Sequence, residues 1–472
     1  MNDSRVIEIA SELYADAQAL KQTGASDSAE AVAIRERILD SAFEIYNLSL
    51  DPAELLRTHA SVDRSPFLTL TISAQPHQRS QLTRYLPIQH ANLITLHFIQ
   101  RFQIANIIPP DSGLTYGAIA TASGQSEQTI RRILRHSIGL LIFRESPPSP
   151  SSANTTPLIH HTPASLLLRT PSFNAWIAAT CEESWPAATR TVDALATFPA
   201  ASEPSESGWA LAHSSNRPSE PSEPSDDDAS QSPPRQSLYD AIANDPARAA
   251  RFAAGMAAYS SGPGYSPAHF LGARGDMLAE LPAGSVFVDV GGGLGQFARA
   301  VRGSVRGARV RFVVQDLEGV VCRASSEPVD GSLGDGEGDG EGEGGIVFQA
   351  HDFFEPQPVK GAEVYFLRWI LHNWSDKYAL RILRNVGLAM GERSRLVIHD
   401  YCVEDLDRLS LRGRRAATNM DIGMMQLLNA QERDEKQWRE LLAKADPRFR
   451  WIGVTRPPGS ALAIIEASWG EE

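Results

Sequence analysis

The stretch "VFVDVGGGLGQFARA" (residues 286–300) passes from an apolar run into three consecutive glycines and then into a helical pattern beginning near Gln296. Strand, glycine turn and helix together form the unit with which α/β sheets bring a nucleotide-like group to a helix N-terminus. Glycine is required where φ is positive or where a ligand presses on the backbone. The spacing here is G-G-G-x-G rather than the G-x-G-x-x-G of a dinucleotide turn, and Asp289 stands two residues before Gly291. A carboxylate is wrong for a pyrophosphate and suits an ammonium or a sulfonium. Asp289, Gly291, Gly292 and Gly293 are therefore candidate cofactor residues, although such a turn alone also fits a purely structural role.

The following stretches narrow the choice. The run "VRFVVQDLEGVV" ends in Asp316, and an acid at the tip of the second strand commonly accepts from ribose hydroxyls. In "QAHDFFEP" (349–356), Asp352 and Phe353 fall where a third strand would end. An acid there can accept from an adenine amine and an aromatic can cover the ring. Taken singly, Asp352 fits a helix cap and Phe353 a core position; taken in order after Asp316, an adenosine pocket is the better account. In "GAEVYFLRWILHNWSDKYALRILRNV" (361–386), a strand carries Arg368 to its C-terminal end, and His372 and Trp374 follow before a helix capped by Ser375 or Asp376. Ligands of parallel sheets sit beyond the carboxyl ends of strands, which is where this histidine falls.

Strand-like runs at 286–290, 309–315, 363–367, 395–399 and 461–469, the first four separated by helical segments, predict an α/β fold over 237–472: a Rossmann-like, mostly parallel sheet with helices on both faces. The acidic insertion 330–345, "DGSLGDGEGDGEGEGG", has carboxylates at alternate positions but no glutamate at the twelfth position from Asp335, so it reads as a solvated loop rather than a calcium site. Upstream, residues 4–60 are helical in pattern. Residues 88–143 give a longer helix, then helix, turn at Gly124, helix and a short strand, the order of a winged helix. That shape serves either DNA recognition through Arg131, Arg132 and Arg135 or packing and dimerisation. Residues 201–236 are rich in Ser, Pro and acid and lack apolar periodicity, which predicts a mobile linker, with "GWALAH" (208–213) as a piece able to dock. The expected domains are thus 1–200, helical and winged-helix-like; 201–236, linker; and 237–472, the α/β domain.

The chain has 472 residues, a net charge of −13 and three scattered cysteines, Cys181, Cys322 and Cys402. This balance argues against nucleic acid as a partner, and the cysteines form neither a metal-ligand spacing nor a disulfide framework. The N-terminus is amphipathic and acidic rather than a signal peptide, and the apolar region 91–109 is broken by His97, Gln100, Arg101 and Gln103. A cytoplasmic protein without a membrane span is expected.

Together "VDVGGGLGQ", "VVQDL", "HDFFEPQPVKGAEVYFLRWILHNWSDKYALRILRNV" and "NMDIGMMQLLNAQERDEKQWRELLAKADPRF" resemble the S-adenosylmethionine-dependent O-methyltransferases of the caffeic-acid type, and more closely the fungal sterigmatocystin O-methyltransferase branch. The resemblance is strong over about 237–469 and weaker over about 115–200, where it implies a winged-helix dimerisation domain and hence a homodimer. It implies S-adenosylmethionine as cofactor. The Gly291 turn would hold the methionine part, Asp316 the ribose, Asp352 and Phe353 the adenine, and Arg368 would serve the cofactor where relatives often carry lysine. His372 matches the catalytic base, Asp400 and Glu432 its orienting acids, and Trp374 and Met424 would line the acceptor pocket. No metal is implied. The implied reaction is methylation of a phenolic hydroxyl in an aromatic, polyketide-type metabolite. Asn373, Glu318 and Asp434 depart from the residues usual at their positions. Two other readings fit parts of the pattern: a methyltransferase-shaped transcriptional co-regulator without activity, and a nicotinamide oxidoreductase, which the glycine spacing disfavours.

Overall fold

The computed structural model describes residues 3–23, 29–60, 90–146, 156–214, 235–304, 310–326 and 345–470. Most of the acidic insertion and residues 215–234 of the expected linker lie outside them. The chain divides into two compact units, 1–182 with 249–258 and 183–248 with 259–472, so the division falls at neither 200 nor 237.

In the first unit the helices Asp3–Thr23 and Ala29–Leu48 pack on each other, tied by Arg5–Glu44 at 3.1 Å and Arg37–Asp16 at 2.6 Å. Further on, helix Tyr116–Ser123 ends at Gly124, whose φ of 68° reverses the chain, and helix Glu127–Gly139 starts on the Ser126 cap. Strands β1 (Phe143–Ser146) and β2 (Leu158–His161) then pair antiparallel. Two helices about a tight turn followed by a two-stranded ribbon match the expected order. Arg131 is held inside this unit, pairing with Glu127 at 2.7 Å and lying 4.4 Å over the Tyr116 ring.

The second unit is built on a seven-stranded sheet. Its strands are β3 (Val286–Val290), β4 (Arg311–Asp316), β5 (Ile346–Ala350), β6 (Val364–Arg368), β7 (Arg395–Asp400), β8 (Phe449–Thr455) and β9 (Ala463–Trp469). Their spatial order is β5-β4-β3-β6-β7-β9-β8, parallel from β5 to β7, with β9 antiparallel to both its neighbours. Alternate residues of each central strand point to opposite faces. On one face Val288, Val290, Tyr365, Leu367, Leu396 and Ile398 pack with helices Asp376–Gly387 and Glu435–Ala445. On the other, Phe287, Phe312, Phe366, Val397 and Ile464 pack with helices Pro267–Ala279 and Gln296–Ser304. This is the expected α/β architecture. Two strands exceed the five expected runs: β5, whose end near Asp352 was foreshadowed, and β8. Both sit at sheet edges and carry exposed or half-buried positions instead of a continuous apolar run.

After β3 the chain builds outward through β4 and β5, then returns to lay β6 against the other side of β3. That reversal opens a crevice beyond the C-terminal ends of β3 and β6, the place where open α/β sheets bind ligands. A mobile linker beginning at 201 is corrected for residues 201–207, which are folded and contain a 3-10 turn, Pro204–Glu206. The piece expected to dock forms the helix Gly208–His213, whose Trp209 is buried, stacks on His213 and donates to Glu183 Oε2 at 2.8 Å.

Candidate active site

The glycine turn lies at that crevice. Gly291 and Gly293 have φ of 71° and 58°, a conformation natural to glycine. A Cβ on Gly291 would stand 2.5 Å from Ile370 Cδ1, and one on Gly292 2.6 Å from Asp289 Cγ. The turn is pinned by Gln315, whose carbonyl accepts from the Gly291 and Gly292 amides at 2.8 and 3.0 Å. Buried amide bonds to Gln349 and Gln357 fix Gln315 in turn. Asp316 spans the mouth, accepting from the amides of Gly293 at 2.9 Å and Leu317 at 2.8 Å. Burial raises its pKa, against the pull of those two amides.

Asp289 is buried, and its Oδ2 has no hydrogen-bond partner. Burial pushes its carboxyl up to about 7; Arg368 pulls it down and Asp316 pushes it further up. Arg368 donates to the Tyr265 carbonyl at 2.5 Å and lies 4.9 Å over the Phe297 ring, with its Nε unpartnered. Burial lowers the guanidinium to about 10, opposed by Asp289. An acid and a base with unsatisfied buried atoms beside a glycine turn suit the ammonium and carboxylate of an amino-acid chain. After β5, Asp352 Oδ1 accepts from the Phe354 amide at 2.8 Å, and Phe353, whose ring edge would stand 3.7 Å from a Cβ on Gly291, packs edge-on to Phe354 and Trp374, with ring centroids 4.9 and 6.0 Å away. The residues present fit the amino-acid end of an S-adenosyl group.

His372 lies in the short turn Leu371–Asn373 after β6 and is buried. Its Nδ1 meets Glu432 Oε1 at 2.9 Å and stands 4.0 Å from Asp400 Oδ1; its backbone amide donates to Asp400 Oδ2 at 3.2 Å. Asp400 ends β7, and Glu432 follows helix Leu411–Leu428, whose Asp421 accepts from the Glu432 amide at 2.9 Å. Burial lowers the imidazole pKa, but the Asp400 charge and the Glu432 hydrogen bond and charge outweigh it, and the net shift is upward. Burial raises both carboxyls, each held down in part by the histidine. Among the described residues the Nε2 atom makes no hydrogen bond. A histidine whose Nδ1 is engaged by an acid presents Nε2 as a proton acceptor. The ligand atoms of the three residues lie within 4.8 Å of one another, close enough to grip a cation, but His372 Nδ1 and Glu432 Oε1 are already joined by a hydrogen bond, and Asp400 accepts from the His372 backbone amide.

The acceptor side differs from the sequence expectation in one respect. Trp374 stacks on Tyr239 at 5.6 Å and packs edge-on against Phe353 and Phe354, at the adenine end. The indole against His372 belongs to Trp369, at 4.8 Å, which also contacts Tyr259, Tyr265 and Tyr401. Its φ of 59° is strained for a bulky residue, and its Nε1 is buried without a partner. Met424 is half-buried on helix Leu411–Leu428, one turn beyond Met420, whose Sδ is 3.9 Å from the Tyr259 hydroxyl.

Sequence reasoning also missed Gln315, a polar residue inside an apolar run, and Arg433. The Arg433 guanidinium is fully buried and donates to the carbonyls of Leu371 and Trp374, both at 2.9 Å, and to Asp376 at 2.8 Å. It ties the His372 turn to the Glu432 loop from within. Of the departures, Asp434 takes an N-cap role, accepting from the Gln437 amide at 2.7 Å, and Asn373 donates to the Trp369 carbonyl at 2.9 Å.

A glycine turn at the switch point, acids at the ends of successive strands and an acid-braced histidine after β6 are the pattern of a nucleoside-dependent group-transfer enzyme on a doubly wound sheet. Comparisons with known proteins agree. A family model described as O-methyltransferase domain matches residues 234–447. The chain is 33% identical to the chlorophenol O-methyltransferase of Trichoderma longibrachiatum over 83% of its own length and 76% of that protein's. It is 29% identical to the O-methyltransferase pgmB of Aspergillus terreus, over 92% and 84%. Among solved structures, OxaC in complex with S-adenosylhomocysteine and oxaline superposes with a TM-score of 0.66 at 19% identity, covering all of both chains. LepI in complex with S-adenosylmethionine gives 0.63 at 21%, again over both whole chains. The chain belongs to the O-methyltransferase family and is an S-adenosylmethionine-dependent O-methyltransferase. No helix among the described residues is long and apolar enough to cross a membrane.

Proposed function

We propose that this enzyme methylates a phenolic hydroxyl of an aromatic, polyketide-type secondary metabolite, with His372 as the general base. The observation that carries the proposal is the buried His372 with Nδ1 2.9 Å from Glu432 and, among the described residues, no partner at Nε2. S-adenosylmethionine supplies the methyl group on a sulfonium, an electrophile that needs an oxygen nucleophile in line with it. A phenol with pKa near 10 is mostly protonated at neutrality. The neutral imidazole takes that proton at Nε2 as the oxygen attacks, and Glu432 and Asp400 stabilise the imidazolium that results. Such assistance is worth roughly 10²–10⁴-fold. Asp289 holds the ammonium, Arg368 the carboxylate, Asp316 the ribose, and Asp352 and Phe353 the adenine. Trp374 joins the adenine end, and Trp369 takes the place beside the acceptor with Met424.

The relatives' names support the class of acceptor, since one of them is a chlorophenol O-methyltransferase. The assembled His372, Asp400 and Glu432 count against an inactive co-regulator. A homodimer carried by the first unit is part of the proposal, supported by exposed Ile7 and Tyr14 on helix Asp3–Thr23. Cytoplasmic residence is supported by three free cysteines, Cys181, Cys322 and Cys402.

The test is transfer of labelled methyl from S-adenosylmethionine to a panel of phenols, beside His372→Gln. Turnover that falls on the order of 10²-fold or more in the variant, with S-adenosylhomocysteine affinity retained, is expected. Undiminished turnover in the variant would refute the base assignment.

A further inference from the structure

Two loops carry the base and its acid. The first runs from Leu371 to Asp376 and holds His372; the second runs from Asn429 to Arg433 and holds Glu432. Arg433 joins them from the inside. A separate segment, residues 201–207, joins them from the outside.

The contacts of this segment fall on the end of the His372 loop and the first turn of the helix that follows it, and on Asn429 at the start of the Glu432 loop. Ser375, three residues after His372, donates its hydroxyl to the Ser202 carbonyl at 2.8 Å. Ser375 stands at the N-cap of helix Asp376–Gly387, yet its side chain makes no capping bond to that helix. The hydroxyl that would ordinarily serve the helix serves the segment instead. Tyr378 donates to Glu203 Oε2 at 2.6 Å, and Lys377 pairs with Glu203 Oε1. From the second loop, Asn429 donates to the Glu203 carbonyl at 2.8 Å. Asn429 ends helix Leu411–Leu428 in the left-handed conformation, φ 51°, three residues before Glu432. The segment is itself anchored downstream, because Ser207 caps the helix whose Trp209 is bonded to buried Glu183, and Glu183 in turn accepts from Arg248 at 3.0 Å.

We infer that Ser202 and Glu203 form a positioning clasp that holds the His372 loop against the Glu432 loop and so sets the hydrogen bond between them. Glu203 is a positioning residue and touches no reacting atom. The inference rests on the reading of His372 as the base only for its effect on turnover; its effect on the imidazole stands apart from that reading. With the clasp loosened, the Nδ1–Glu432 bond lengthens, the support that raises the imidazole pKa weakens, and the proton acceptor drifts from its alignment. Small misplacements of a reacting group are costly, up to about 10²-fold for 1 Å.

The experiment uses the full chain in three variants. Glu203→Ala removes both side-chain contacts from an accessible position. Glu203→Gln keeps an acceptor for Tyr378. Asn429→Gly tolerates the positive φ while deleting the donor to the Glu203 carbonyl. Histidine ring carbons are labelled and the His372 resonance, identified by its loss in His372→Gln, is titrated by NMR; S-adenosylhomocysteine affinity is measured by calorimetry.

In Glu203→Ala and Asn429→Gly the His372 midpoint is expected to move down toward that of an ordinary histidine, with Glu203→Gln intermediate. The affinity for S-adenosylhomocysteine should be unchanged, and kcat on the best phenol of the panel should fall about tenfold with KM for the cofactor constant. An unmoved midpoint overturns the clasp, as does a midpoint that moves only together with lost cofactor affinity. If instead His372→Gln retains turnover, the base assignment fails while the titration still decides the clasp.

Discussion

Replacing Glu432 by Gln tests the braced histidine most directly, because it removes a charge while keeping shape. The Nδ1 to Oε1 distance is 2.9 Å and both residues are buried, so the bond is charge-assisted and shielded from water. Hydrogen bonds to charged groups contribute about 1.5–3 kcal/mol. If that support is realised as the imidazolium forms, its loss lowers kcat by about 10- to 150-fold. Asp400, 4.0 Å from the same nitrogen, keeps acting through its charge, which sets the floor of residual activity. The pH profile supplies the sharper signature. The base works when neutral, so activity rises with pH through the His372 pKa. Burial lowers that pKa, and Asp400 and Glu432 raise it by more. Removing the Glu432 charge moves the acid limb of kcat to lower pH even as the plateau falls. Stability follows the same sign. A raised folded pKa gives stability that is full below the unfolded value and is lost as pH climbs through the folded one. The urea midpoint of the parent therefore declines over that window, and Glu432→Gln flattens the decline. Initial rates of labelled methyl transfer across weakly acid to alkaline pH are the assay. A plateau within about twofold of the parent, or a limb that moves upward, refutes the reasoning.

Asp289→Asn should separate binding from stability. With an ordinary aspartate at 3.8 and Asp289 at about 7, keeping it ionised costs the fold roughly 4 kcal/mol above that pH. The variant should melt higher than the parent at alkaline pH while binding S-adenosylhomocysteine more weakly, as calorimetry and thermal melts will show. Gly292→Ala, with Cβ 2.6 Å from Asp289 Cγ, should lose cofactor affinity and about 1–3 kcal/mol of stability in urea melts, whereas Gly293→Ala, with open space around Cβ but φ of 58°, should cost only about 1 kcal/mol. Trp209→Phe leaves buried Glu183 without its indole donor and should lower the urea-derived stability by about 1–3 kcal/mol.

What could be read from sequence follows the physics of each segment. The central strands β3, β4, β6 and β7 are buried on both faces, so their apolar runs announce themselves; edge strands β5 and β8 have no such run. The glycine turn was legible because glycines clustered after a strand have few other uses. His372, Asp400 and Glu432 were legible only as members of a resemblance, since no spacing rule brings together residues 28 and 60 positions apart. Trp369 and Trp374 could not be told apart, because which indole meets the histidine depends on a left-handed backbone turn at Trp369 that composition does not encode. Arg433 stands in a charged stretch and reads as a surface residue until its carbonyl partners are seen. Residues 201–207 carry the composition of a linker, and what orders them is polar contact with distant residues, Ser375, Tyr378 and Asn429, together with the burial of Pro204.

The groups left unsatisfied make the strongest physical case that this crevice is a working site. Asp289 Oδ2, Arg368 Nε, Trp369 Nε1 and Glu432 Oε2 are all buried polar atoms without a partner. Each such atom costs about 1–3 kcal/mol, and folded proteins carry few of them. These four come from the strand ends and loops about the β3–β6 switch point, while others among the described residues stand on Thr58, Gln100 and Ser285 outside these loops; two of the four sit on charged groups of opposite sign beside the glycine turn. His399, paired with Arg368 across β6 and β7, adds both its ring nitrogens to the same set, and burial, with the Arg368 charge beyond it, holds that imidazole down to about 3. A neutral histidine beside Arg368 leaves the guanidinium as the local positive charge, and Asp289 as the local negative one. A zwitterionic amino-acid chain can use that pair of opposite charges, whereas a pyrophosphate would pair with the guanidinium but be repelled by the carboxylate. On the proposed reading of Asp289 and Arg368, the polarity of the crevice adds to the glycine spacing in favouring a methyl donor over a nicotinamide dinucleotide.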